Sequence, residues 1–75
     1  MYLADLSNAD LSRADLSAVD ATGADFSNAN LVGVGFKDAV LKDADLQGAI
    51  LTNVNFRGVD MSNTKLTSIV IDEYN

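Results

Sequence analysis

The sequence predicts an all-β solenoid, a single coil of short extended segments, and three observations predict it. An apolar residue recurs at every fifth position without a break in spacing: Leu6, Leu11, Leu16, Ala21, Phe26, Leu31, Phe36, Leu41, Leu46, Leu51, Phe56, Met61 and Leu66, with Ile71 continuing the phase. Two residues before each central position, i, stands a small or β-branched side chain, from Ala4, Ala9 and Ala14 to Val54, Val59 and Thr64. Turn formers follow, with Asn8, Gly23, Asn28, Gly33, Gly48, Asn53, Gly58 and Asn63 all at i+2.

Self-similarity at a fixed period governs the fold before any local propensity does. A helix is excluded, because five residues at about 100° each would smear the apolar position around the cylinder. In an extended chain i−2 and i share one side and i−1 the other, so the Ala-Asp-Leu triplets at 4–6, 9–11 and 14–16 point their apolar residues inward. Five is odd, so the same face returns to the inside only if every repeat also bends. The chain must therefore wind, with successive turns about 4.8 Å apart so that backbone groups bond from rung to rung.

How many repeats close one turn does not follow from spacing. The string Ala9-Asp10-Leu11-Ser12-Arg13-Ala14-Asp15-Leu16-Ser17 resembles the A(D/N)LXX pattern of the pentapeptide-repeat family, and thirteen in-phase copies cover residues 4–68. That resemblance implies a right-handed quadrilateral β-helix with four repeats per turn. Slightly more than three turns, a column about 15 Å tall, would result. The expected core stacks are Leu6-Phe26-Leu46-Leu66, Leu11-Leu31-Leu51-Ile71, Leu16-Phe36-Phe56 and Ala21-Leu41-Met61. Ala21 is the one undersized member, and Phe26 and Phe36 are expected to fill the space it leaves. Departures from the pattern are Gly35, Val40, Ile50, Lys65 and Val70 at i−1, where Asp or Asn is usual, and Thr64 and Ile69 at i−2.

Seventy-five residues, 48% of them apolar, make one domain over 1–75, with repeats in 4–68 and a closing segment in 69–75. Without cysteine or histidine there is no disulfide and no Cys/His zinc site to support so small a core. Regularity or self-association must supply the stability. Solenoid ends expose strand edges unless covered. Ile69, Ile71 and Tyr74 are bulky enough to plug the C-terminal end, whereas only Tyr2 and Leu3 are on hand at the other. Either that end stacks on a second copy or the chain is a piece of a longer repeat protein.

Apolar runs such as Ile69-Val70-Ile71 fall far short of the roughly 20 residues a membrane helix needs. Met1 to Asp5 also lacks the basic flank and apolar segment of a signal peptide, so a soluble and by default cytoplasmic chain is expected, with no membrane partner. Five lysines and arginines stand against eleven acids, which argues against nucleic acid and for a basic or neutral protein partner.

The aspartates Asp5, Asp10, Asp15, Asp20 and Asp25 suggest an acidic cluster, but four repeats per turn would disperse them over successive faces. One stack remains, Asp5, Asp25 and Asp45, ended by Lys65. It reads as a solvated ladder whose carboxylates accept from nearby backbone N–H groups. Calcium would rest on stacked oxygen ligands alone, since the GGxGxDxUx pattern is absent, and no metal or other cofactor is expected. Ser7, Ser12, Ser17 and Ser27 recur at i+1 without a histidine or cysteine to activate them, and read as turn hydroxyls. Single glycines make no phosphate cradle, and repeated equivalent carboxylates provide neither a cleft nor separated pKa values. No catalytic residue is assigned.

One surface rises above the pattern. The face built from 9–13, 29–33, 49–53 and 69–73 would turn Val32, Ile50 and Val70 outward, either as scattered surface residues or as a contact patch. The function expected is a non-enzymatic, rigid interaction scaffold, its partner unidentified, self-associating as a homodimer by end-stacking or through this apolar face. The alternative, implied by the family resemblance, is an acidic mimic of DNA that inhibits a type II topoisomerase such as gyrase. Duplex DNA carries about one charge per 1.7 Å, or roughly nine over 15 Å, against a net charge of −6 in this chain.

Overall fold

The computed structural model describes residues 1–71. Parallel bridges join residues twenty apart: Asp5 to Asp25 to Asp45 to Lys65, Asp10 to Asn30 to Ile50 to Val70, Asp15 to Gly35 to Asn55, and Asp20 to Val40 to Asp60. Four repeats therefore close one turn, and the coil has four faces. Face 1 holds residues 4–8, 24–28, 44–48 and 64–68. Face 2 holds 9–13, 29–33, 49–53 and 69–71. Face 3 holds 14–18, 34–38 and 54–58, and face 4 holds 19–23, 39–43 and 59–63. Each bridge is one residue wide because a turn lies on either side of it.

The geometry follows from where each N–H can go. In the repeat 24–28, Ala24 N–H closes a turn on the Ala21 carbonyl at 3.0 Å, and Asp25 N–H donates down one rung to the Ala4 carbonyl at 2.8 Å. Phe26 and Asn28 N–H groups donate up one rung, to the carbonyls of Asp45 at 2.7 Å and Gln47 at 2.8 Å. The fifth, Ser27 N–H, finds no backbone acceptor and donates to Asp25 Oδ1 at 2.9 Å. The aspartate or asparagine at i−1 thus completes a set of bonds that the backbone alone leaves one short.

Every i+2 residue from Leu3 to Ser68 has positive φ, between 54° and 72°, as the third residue of a type II turn requires. Glycine fills four of these corners, and at Gly48 it is needed twice over. Its φ is +72°, and a Cβ there would collide with Asn28 Oδ1, which leans up from the rung beneath.

Side chains at i−2 and i fill the interior. Ala21, Phe26, Leu31, Phe36, Leu41, Leu46 and Leu51 are buried, with Leu16 at their edge, and no polar or charged side chain is buried among the described residues. The Phe26 and Phe36 rings meet edge to face across the coil with centroids 5.9 Å apart, and Phe36 stacks on Phe56 at 6.1 Å. Ala21, the undersized central residue, is fully buried. Thr64, polar where a small apolar residue is usual, donates its hydroxyl to the Leu41 carbonyl at 2.8 Å.

The ends differ from expectation. Leu66, assigned to the core, is 41% exposed, and Ile71, assigned as a plug, is 57% exposed. Both point inward in phase, but no described rung lies beyond to cover them. Ile69 is half-buried and packs on the core. Tyr74 and the rest of the closing segment after Ile71 lie outside the described residues. Leu6, Leu11, Phe56 and Met61 are half-buried for the same reason as Leu66, each being in or next to a terminal rung. Tyr2 and Leu3 form a further corner in phase, Leu3 N–H donating to the Thr22 carbonyl at 2.9 Å, and both stay exposed.

Candidate interaction surface

Outward positions are i−1, i+1 and i+2, and their columns make the surface. At i−1 the aspartates work as pairs with the next residue but one. Asp5 Oδ1 accepts from both Ser7 N–H at 3.1 Å and Ser7 Oγ at 2.6 Å, and Asp10 with Ser12, Asp15 with Ser17, Asp20 with Thr22 and Asp60 with Ser62 repeat the arrangement. The hydroxyl bond first and the N–H bond second hold these five carboxyls below their ordinary value of 3.8, against a small opposing cost of desolvation. The turn serines therefore have a specific partner, which the Asp-x-Ser spacing contained and the sequence reading left unassigned.

Asp5, Asp25 and Asp45 do form a ladder on face 1, with Lys65 bridged above Asp45. Each directs an oxygen to its own repeat rather than to a shared centre. No group of three or more potential metal-ligating residues occurs among the described residues.

Face 2 carries Asp10, Asn30, Ile50 and Val70 in one column. Ile50 is 37% and Val70 53% exposed, while Val32, at the corner beside them, is half-buried. Asn30 still accepts from Val32 N–H at 3.1 Å. Ile50 offers no acceptor to Thr52 N–H, so this repeat gives up the bond that Asp or Asn would make and exposes a β-branched side chain as well. Face 2 thus departs from the fold's own chemistry twice on adjacent rungs.

Along the corner between faces 1 and 2 runs an open depression of about 340 Å³, lined over three rungs by Ser27, Asn28, Asp45, Gln47, Gly48, Thr67 and Ser68. Sequence reading did not foresee it. Glycine at 48 leaves it without a side chain at its centre, and Gln47 stands where the rung below has a serine. Asp45 accepts from Gln47 N–H at 2.9 Å but has no hydroxyl at i+1 to bond. The depression holds one carboxylate and no base to pair with it.

The model of the family described as pentapeptide repeats (8 copies) matches residues 1–38 and 35–69, together nearly all of the sequence. The chain belongs to the pentapeptide-repeat family. Its four-sided rung is the right-handed quadrilateral β-helix of that family. Among solved structures it is similar to a pentapeptide repeat protein from the thylakoid lumen of Arabidopsis thaliana, at 34% identity and a TM-score of 0.86 over 91% of this chain and 47% of that one. It is also similar to the pentapeptide repeat protein Rfr23 from the cyanobacterium Cyanothece, at 32% identity and a TM-score of 0.59 over 97% of this chain and 53% of that one. A third, the plasmid-mediated fluoroquinolone resistance protein QnrB1, matches at 20% identity with a TM-score of 0.56 over 93% of this chain and 38% of that one, a likeness of fold alone. This pentapeptide-repeat chain spans about half the length of the first two. No curated protein sequence matches it.

Proposed function

We propose that this pentapeptide-repeat solenoid is a non-enzymatic interaction scaffold that presents side chains in fixed rows, with Val32, Ile50 and Val70 on face 2 as its contact surface. The exposed pair Ile50 and Val70 carries the reading, since on neighbouring rungs both place an exposed apolar side chain where the repeat usually has Asp or Asn. A residue choice that costs the fold a hydrogen bond and exposes apolar area is retained for something outside the fold. Chemistry adds no competing claim: the sequence has neither histidine nor cysteine, and the hydroxyls at i+1 donate to carboxylates instead of facing a base.

The test compares the parent chain with Ile50→Lys and with Lys37→Ala on face 3, first by circular dichroism to establish that all three fold, then by crosslinking in an extract of the producing cells. A partner captured by the parent and Lys37→Ala but lost with Ile50→Lys supports the scaffold. Equal capture by all three removes face 2 from the contact. Light scattering of the same samples reads self-association by the same surface or by the ends.

A second reading has one observation in its favour. Among the described residues faces 1 and 4 carry the acidic excess, three aspartates against Lys65 on the first and three against Lys42 on the second, while the acids of faces 2 and 3 are balanced. Two adjoining acidic sides suit an imitation of the DNA backbone, although three rungs cover only about four or five base pairs at about 3.4 Å each. Gyrase supercoiling left unaffected by micromolar protein excludes it.

A further inference from the structure

The open corner and the apolar column are neighbours, and together they define a partner more closely than either does. Gly48 lies two residues before Ile50, and Ser68 two residues before Val70, so the depression on the corner adjoins the exposed pair around the bend of the same two rungs. Its lining is rich in acceptors. Asn28 Oδ1 leans into the space that any side chain at 48 would take, and Asp45 retains acceptor capacity that its counterparts spend on a serine hydroxyl. Beneath Asp45 the same column continues into Asp25 and Asp5, so the potential along this corner is negative on its lower side, with Lys65 closing it above.

We infer that this corner receives a lysine or arginine side chain of a partner protein, while an apolar neighbour of that residue packs on Ile50 and Val70. The inference rests on face 2 being the contact surface and adds the chemistry of what meets it. The lining holds one carboxylate and no cation, so a cationic group supplies the missing charge, and charge-assisted hydrogen bonds to Asp45 and Asn28 fix its position. The adjacent branched side chains provide the apolar contact area. A second copy of this chain is the poorer occupant, because its own charge is −6 and like charges would be brought together.

The probe is a short capped peptide of alternating valine and arginine, titrated to about 1 mM or above against isotope-labelled protein and followed by amide shifts. Control peptides replace arginine by serine or valine by serine. Shifts centred on Gln47, Gly48, Ile50, Thr67 and Ser68 are expected, with affinity falling roughly threefold for Asp45→Asn, the scale of an exposed ion pair. Asp60→Asn on face 4 should leave binding unchanged. Equal binding of the valine-serine peptide, lost only with Ile50→Lys, would overturn the cationic inference and leave the apolar surface standing. Shifts spread evenly over all aspartate-bearing faces, shifts that track protein concentration without peptide, or no shifts at all would each overturn it; only the last, joined to Ile50-independent capture, would remove the scaffold reading too.

Discussion

Asp25 accepts Ser27 N–H and Ser27 Oγ at once, and in doing so explains most of the outward sequence of this protein. Asparagine does the same for the backbone at Asn30 and Asn55, which accept from Val32 and Arg57 N–H at 3.1 and 3.0 Å. What distinguishes aspartate is its response to acid. A carboxyl held below its ordinary value stabilises the fold only while ionised, because the folded chain binds the proton less readily than the unfolded one. For Asp5, Asp10, Asp15, Asp20 and Asp60 that contribution is complete above pH 3.8 and is lost as pH falls through the lower folded values. The melting temperature should therefore hold level from neutral pH toward pH 4 and drop below it. Ser17→Ala, which removes the largest cause of the shift at Asp15, should raise that residue's titration midpoint as read by carbon-detected resonance while the neighbouring pairs stay put. An unmoved midpoint would show that the hydroxyl bond does not operate in solution.

At the scale of the repeat, stability comes from stacking unequal side chains into a level rung. The Phe26 and Phe36 rings meet across the interior, and Phe56 continues the column above Phe36. Phe36 touches both other rings and is fully enclosed, so Phe36→Ala should cost about 3–5 kcal/mol in urea-induced unfolding. A loss under about 1 kcal/mol would mean the core closes around the gap and is not packed as described. The corners work in the opposite sense. Arg13, Ala18 and Ser68 accept positive φ at 65°, 60° and 60°, which side chains resist. At the first two the residue's own bond holds it there, since Arg13 and Ala18 N–H groups donate up one rung at 2.7 and 2.8 Å.

Over the whole molecule each rung contacts only the rungs beside it, so stability is shared between nearest neighbours and thins toward the ends. The fully buried side chains run from Ala21 to Ala49, whereas most residues toward either described end are half-buried or exposed. Amide exchange should mirror this gradient. The N–H groups of Phe26, Leu31, Leu41 and Asp45 should exchange at least about a hundredfold more slowly than those of Asn8, Arg13 and Val59, although all are hydrogen-bonded in the structure. Uniform protection from end to end would instead signal a single cooperative unit stabilised by cover at its ends.

Period, inward columns and excess charge were legible in the amino-acid order because each is a property of spacing alone. Every fifth residue is apolar whatever the number of sides, and the family resemblance then gave four, which the twenty-residue bridges bear out. The outward direction of Ile50 and Val70 followed from the same phase. Three things needed the folded chain. The exposure of Leu66 and Ile71 depends on whether another rung lies over them, which no local pattern encodes. The hydroxyl bond that a serine or threonine at i+1 makes to its aspartate depends on the bend at the corner that brings i+1 back toward i−1. The depression at Gly48 arises only when residues 28, 48 and 68 stand one above another, because a missing side chain becomes a site when the rungs beside it supply the walls.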